Sequence, residues 1–195
     1  MSISCLVVFS LLSTAYLASA ERRHTVFILV GGTGDLAAKY LWDGIFNVYH
    51  NRFEGHTGGF ESEAAANHTF DFLAAGRTAQ DQGNIILNSV LKSSIQCPED
   101  SPHHTTCTKR ATDFINKAIY MSLKEDADFV LLCNEIQDLF SRTSFGVKQE
   151  LILYLAIAPA HYENVAEKFH KKCAQKMREL HVSLKVAIEK PFGLD

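Results

Sequence analysis

The sequence lacks the features that would send it to nucleic acid or to a charged membrane surface. Its 19 basic and 22 acidic side chains leave a formal net charge of −3, which argues for neither partner. Past residue 20 no apolar run is long enough to cross a bilayer. No internal repeat and no low-complexity stretch breaks the chain. Its cysteines and histidines follow no structural zinc spacing, so no metal is expected. What remains is an ordinary globular composition, 47% hydrophobic and 21% charged.

The N-terminus is the exception. Cys5 to Leu17 is apolar but short for a membrane span, and it ends in Ala18-Ser-Ala20, a small-x-small pattern before the charged Glu21-Arg-Arg23. Residues 1–20 therefore read as a secretory signal peptide, although no Lys or Arg precedes the apolar run. Residues 21–195 are left as one domain, large enough to bury most of its apolar surface. The expected compartment is the endoplasmic reticulum lumen or the exterior, with no membrane attachment after cleavage. Four cysteines stay in that mature chain. Cys97 and Cys107 flank a proline-bearing loop and are expected to close it as a disulfide, contributing up to about 3 kcal/mol. A metal site that adds His103 and His104 is the alternative use. Asn67-His-Thr69 is a glycosylation sequon suited to a surface glycan at Asn67.

The organising stretch is Val26 to Trp42. Val26-Phe-Ile-Leu-Val30 reads as a strand buried on both faces. Gly31, Gly32 and Gly34 break it, and Asp35 opens a helix whose apolar positions are expected at Ala37, Leu41, Ile45 and Val48. Strand, glycine turn and helix N-terminus begin a dinucleotide-binding βαβ unit, because a pyrophosphate reaches helix N–H groups only where no side chain blocks it. The second strand is expected at Thr69–Ala75. An NAD site wants a carboxylate after it to hold the ribose 2′-hydroxyl. Here the chain reads Gly76-Arg77-Thr78 instead. A guanidinium suits a 2′-phosphate, and such a charge-assisted bond, about 1.5–3 kcal/mol, favours NADP over NAD roughly ten- to a hundredfold. A solvated loop arginine is the plainer alternative.

Further along, helices are expected over 85–95, 112–119 and 126–141, with a short strand near Ala118–Leu123. A strong strand follows at Glu150–Ile157, ended by Ala158-Pro159. The next helix carries a stripe of Tyr162, Val165, Ala166, Phe169, Cys173 and Met177, where Cys173 reads as a core thiol. The last strand, Val182–Ile188, leads into Glu189-Lys-Pro-Phe-Gly193. Strands alternating with helices predict an α/β fold, a Rossmann-like doubly wound parallel sheet. Ligands in such sheets bind beyond the carboxyl ends of the strands, so the glycine turn, Arg77, Ala158-Pro159 and Lys190 should line one crevice.

Three ordered motifs, Val30-Gly-Gly-Thr-Gly-Asp-Leu-Ala37, Tyr154-Leu-Ala-Ile-Ala-Pro159 with Tyr162-Glu163, and Glu189-Lys-Pro-Phe-Gly193, resemble the coenzyme domain of glucose-6-phosphate dehydrogenases. The resemblance covers residues 24–195. Lys39-Tyr-Leu-Trp42 and the Cys97–Cys107 loop resemble the endoplasmic-reticulum hexose-6-phosphate dehydrogenase branch. The resemblance implies oxidation of a hexose 6-phosphate to the 6-phospholactone, with hydride passing to NADP, or less favourably to NAD. It implies a phosphate-binding turn made of Gly31, Gly32, Thr33, Gly34, Asp35, Leu36, Ala37 and Ala38. Arg77 would be the 2′-phosphate contact and Tyr162 a cofactor contact. Lys190 would touch both nicotinamide and sugar, its entry fixed by Pro191. Ala38 and Ala158 depart from the family pattern, where lysine and proline are usual. The histidine-bearing segment and the α+β substrate domain that follow in the family are absent before Asp195, so this chain is expected to bind the dinucleotide without turning over sugar; His161 is the nearest substitute base. Homo-oligomers belong to the full-length family. Rival readings are a non-catalytic Rossmann-type nucleotide-binding or interaction module, and a short-chain dehydrogenase using Tyr120-x-x-x-Lys124.

Overall fold

The computed structural model describes residues 22–51 and 67–189. The expected signal peptide, Lys190 and the remainder of the Glu189-Lys-Pro-Phe-Gly193 motif lie outside them. At the centre stands β1, Arg23–Val30. It pairs in parallel with β2, His68–Gly76, on one side and with β4, Lys148–Leu155, on the other. β3, Ala118–Ser122, and β5, Ser183–Ile188, complete a five-stranded, all-parallel sheet in the order β3-β2-β1-β4-β5. The reversal of strand order falls between β1 and β4, where both strands end together at Val30 and Leu155. This is the doubly wound sheet that the alternation of strands and helices predicts.

Helices cover both faces. A π-helical turn, Ala37–Leu41, runs into α1, Trp42–Asn51. With α2, Gln80–Ser94, and α3, His104–Lys117, it packs Trp42, Phe46, Tyr49, Leu87, Leu91 and Phe114 over Leu29, Phe72 and Ala74. On the opposite face α4, Asp126–Ser141, and α5, Tyr162–Glu179, lay Phe129, Leu132, Ile136, Phe140, Phe169 and Met177 over Val26, Ile28 and Val30. The alternation of β1 between these two sets is the period-2 signature of a strand buried on both sides.

Several expectations are corrected. The buried face of the first helix is Ala37, Trp42, Phe46 and Tyr49, while Val48 is 65% exposed. The π turn is the cause: the Trp42 N–H bonds to the Ala37 carbonyl five residues back. One extra residue per turn shifts every later position by one. α2 begins well before Ile85 because its polar first turns serve the edge strand. Gln80 bonds the Tyr120 carbonyl and the Ser122 N–H, and Asn84 accepts from the Tyr120 N–H. α3 starts at His104, so Cys107 sits on a helix and not in a loop, and the helix yields to β3 at Ala118 because that residue pairs with Phe72. The strand expected at 150–157 is shifted two residues earlier. Ala166 of the α5 stripe is exposed. Cys173 is no thiol. It forms a disulfide with Cys133, Cα atoms 5.2 Å apart, tying α5 to α4, beside the expected Cys97–Cys107 bond.

Candidate functional site

At the carboxyl ends of the strands a crevice of about 610 Å³ opens where the strand order reverses. Its floor is the turn after β1. Gly31 has φ +88°, and a β-carbon there would lie 2.2 Å from the Ala156 carbonyl oxygen, so only glycine lets β1 and β4 end this close together. The Gly31 N–H bonds to Ala75 O at 2.7 Å and the Ala156 N–H to Val30 O at 2.8 Å, carrying the ladder one step past each strand. Gly32 is pressed on Ala74, where a β-carbon would come within 2.8 Å. Gly34 closes the turn through its N–H to Gly31 O, 2.9 Å, and accepts from Ala38 N at 3.0 Å. Ahead of that first helical bond stand the N–H groups of Asp35, Leu36 and Ala37, which have no acceptor within the helix and lie at its positive end.

The walls come from the other strand ends. Arg77 follows β2, Leu123 and Lys124 follow β3, and Ala156, Ile157 and Ala158 follow β4, with His161, Asn164 and Lys168 on the next helical turns. Arg77, Lys124 and Lys168 are cations, and among the described residues no carboxylate lines the crevice. Asp126 stands outside it, 2.8 Å from the Lys168 ammonium, and that hydrogen bond holds its carboxyl below the usual range. A glycine-floored cleft at a helix N-terminus, lined by Arg77, Lys124 and Lys168, fits a ligand bearing phosphates.

The sequence-derived residues divide. Gly31, Thr33, Gly34, Arg77, Ala158 and His161 line the crevice together. Gly32 and Ala37 are buried beneath the turn. Asp35 is exposed, 3.9 Å from Lys39, Leu36 is half-buried, and the Ala38 carbonyl accepts from Ser94 Oγ at 2.6 Å. Tyr162 does not line the crevice: it packs against the α4–α5 core and its hydroxyl donates to the Glu189 carbonyl at 3.2 Å. Tyr154 donates to the Glu189 carboxylate at 2.8 Å. Two tyrosines from the second of the three sequence motifs thus grip the first residue of the third. Burial, then the bond to Glu189, pushes the Tyr154 hydroxyl up to about 12. Tyr120 is buried, and its hydroxyl accepts from the Thr78 N–H at 3.0 Å, bracing the loop that carries Arg77; that role leaves it no part in a Tyr-x-x-x-Lys pair. Asn164 and Lys168 carry no sequence signal, and Lys124 is marked in the sequence only as the lysine of the rival Tyr120-x-x-x-Lys124 pair. Position directly after a strand was the available signal for Lys124. Asn67 lies just before β2, at the opposite end of the sheet, where its carbonyl accepts from the Arg23 N–H. Among the described residues no cluster of three or more metal-ligating side chains occurs, and no helix is long and apolar enough to cross a membrane.

Comparison with known proteins places these features. The family model described as glucose-6-phosphate dehydrogenase, NAD binding domain, matches residues 28–195. A human protein, the GDH/6PGL endoplasmic bifunctional protein, is 32% identical over 180 residues, covering 91% of this chain and 20% of that protein. Its rabbit (Oryctolagus cuniculus) counterpart is 31% identical over 179 residues, with 91% and 20% covered. The chain therefore spans about a fifth of the length of these relatives. A solved structure of glucose-6-phosphate dehydrogenase in complex with its substrate glucose-6-phosphate shares the fold at a TM-score of 0.66 and 20% identity, over 92% of this chain and 33% of that one.

Proposed function

Because the chain belongs to the glucose-6-phosphate dehydrogenase family, matching its NAD binding domain, we propose that it is the coenzyme-binding part of an endoplasmic hexose-6-phosphate dehydrogenase that prefers NADP. The observation that carries the preference is the crevice itself. Arg77 and Lys124 stand at adjacent strand ends, and among the described residues no Asp or Glu lines the cleft to hold a ribose 2′-hydroxyl. A doubly charged 2′-phosphate gains from both cations, whereas a hydroxyl gains little from either.

In this reading Gly31, Thr33 and Gly34 admit the pyrophosphate to the helix N-terminus, and Gly32, Asp35, Leu36, Ala37 and Ala38 complete the turn. A bound nicotinamide would supply the hydride acceptor for C1 of the sugar. Tyr154 and Tyr162 act through Glu189, holding the start of the segment that bears Lys190, which the resemblance assigns to sugar and nicotinamide together. The lumenal compartment is supported by the endoplasmic relatives, the signal-like N-terminus and two disulfides, which persist in oxidising compartments. Asn67 is the proposed glycan site, and its place at the far end of the sheet keeps a glycan clear of the crevice.

Titrating NADP and NAD against the wild type and Arg77→Ala tests the coenzyme reading. The variant should lose about 1.5–3 kcal/mol of NADP affinity and almost none for NAD. Equal losses would remove Arg77 from the 2′-phosphate. For the compartment, glycosidase treatment of secretory-pathway material should shift the mass of the wild type and leave Asn67→Gln unchanged.

A further inference from the structure

The indole of Trp42 lies beneath the glycine turn, fully buried, and its Nε1–H donates to the Gly32 carbonyl at 2.7 Å. The π turn at Ala37–Leu41 makes this contact possible, because the extra residue rotates Trp42 onto the buried face. The indole also meets Phe114 of α3 edge-on, ring centroids 6.2 Å apart.

We propose that Trp42 is a positioning residue for the coenzyme pyrophosphate, acting through the Gly32–Thr33 peptide. The proposal rests on the coenzyme-binding reading above and adds the device that orients the turn. A trans peptide is planar, with its C=O and N–H on opposite sides. Fixing the Gly32 carbonyl down onto Trp42 therefore aims the Thr33 N–H away from the core, toward the crevice that Thr33 lines. That N–H makes no hydrogen bond among the described residues, so it stands ready for an anionic oxygen. Glycine on both sides of Thr33 would otherwise let the peptide turn over easily. Without the indole donor, a flipped peptide would present a carbonyl to the phosphates.

Trp42 is the sole tryptophan of the chain, so a tryptophan analogue supplied biosynthetically changes this one site. Benzothienylalanine keeps the bicyclic shape and replaces the N–H with sulfur. The test measures dissociation constants of the full chain, with Trp42 or with the analogue, for NADP, NAD and adenosine 2′-monophosphate, which has no pyrophosphate. Loss of one neutral hydrogen bond should weaken NADP and NAD together by about three- to tenfold, and leave adenosine 2′-monophosphate within about twofold. Phe114→Leu, which loosens the same packing without touching the Gly32 bond, should leave the ratios among the three ligands unchanged. Unaltered NADP and NAD affinities with the analogue, or equal weakening of all three ligands, would overturn the positioning role and leave the coenzyme reading standing. A wild-type chain that binds none of the three would overturn the coenzyme reading, and the positioning role with it.

Discussion

A methyl group at Gly31 meets a backbone oxygen that cannot step aside, and the positive φ strains any other residue there. Gly31→Ala should cost more than about 1–3 kcal/mol in urea unfolding, with nucleotide affinity falling alongside. Gly44 of α1 has open space around its missing side chain. Gly44→Ala should stabilise by about 0.5–1 kcal/mol through helix propensity and leave affinity unchanged. The two glycines differ in backbone conformation and surroundings, and the sequence shows why just one of them stands out: Gly31 ends an apolar strand, and Gly44 sits in a helical pattern. Tyr154 makes a different residue-level prediction. Its hydroxyl keeps its proton up to about 12 in the fold, against 10.0 ordinarily. Between those values the unfolded chain gives up a proton that the folded chain retains, so stability falls as pH rises through that window. Phenolate absorbance should show a late-titrating tyrosine that disappears in Tyr154→Phe. A wild type without a late-titrating tyrosine would contradict the burial of the Tyr154 hydroxyl and its bond to Glu189 together.

Among the elements, α4 shows how a helix terminus serves the crevice. Asp128 accepts from the N–H groups of Lys124 and Glu125 at 2.7 and 2.8 Å and from the Ser122 hydroxyl at 3.1 Å, closing a capping box with Glu125. These bonds, the Glu125 N–H foremost, hold its carboxyl below the ordinary 3.8. Their contribution is complete above that value and is lost as pH falls below it through the lowered one. Asp128→Ala should therefore cost about 0.5–2 kcal/mol at neutral pH, and the gap to wild type should close in acid; a gap constant down to acid unfolding would refute the cap. Lys124 should also lose its fixed place beside Arg77. Element identities were legible because apolar periodicity and strand-ending glycines act locally. The helix around α1 was read with the right elements and the wrong face, since nothing in Ala37 to Leu41 announces a π turn. The early start of α2 was hidden for the opposite reason: Gln80 and Asn84 are polar, and their helical placement is settled by an edge strand three dozen residues away in sequence.

For the whole molecule, the two disulfides divide the labour between the two faces of the sheet. Cys97–Cys107 closes a short separation of 10 residues beside α2 and α3, and Cys133–Cys173 spans 40 residues across β4 to join α4 and α5. By loop length alone, removing the first pair as Cys97→Ala/Cys107→Ala should cost about 3 kcal/mol, and removing the second as Cys133→Ala/Cys173→Ala about 4 kcal/mol. Denaturant midpoints of the two double variants check the order, and a larger loss at the short loop would show that native packing outweighs loop length here. The short pair was legible because its cysteines bracket one segment. The long pair was not, because it depends on two helices lying side by side over the same face, and connectivity among four cysteines does not follow from spacing. The crevice was legible at its floor and in Arg77, where each residue directly follows a strand. Its far wall, Asn164 and Lys168, belongs to a helix whose rotation only the packed structure fixes. The placement of β1 between β2 and β4 also sets a timetable for synthesis. One margin of β1 finds its partner early, but the other waits for residues made more than a hundred positions later. At about 5–20 residues per second, that interval is on the order of ten seconds. Throughout it the most deeply buried of the described strands stands half-matched, and a nascent polypeptide in that condition is a natural client for a holding chaperone.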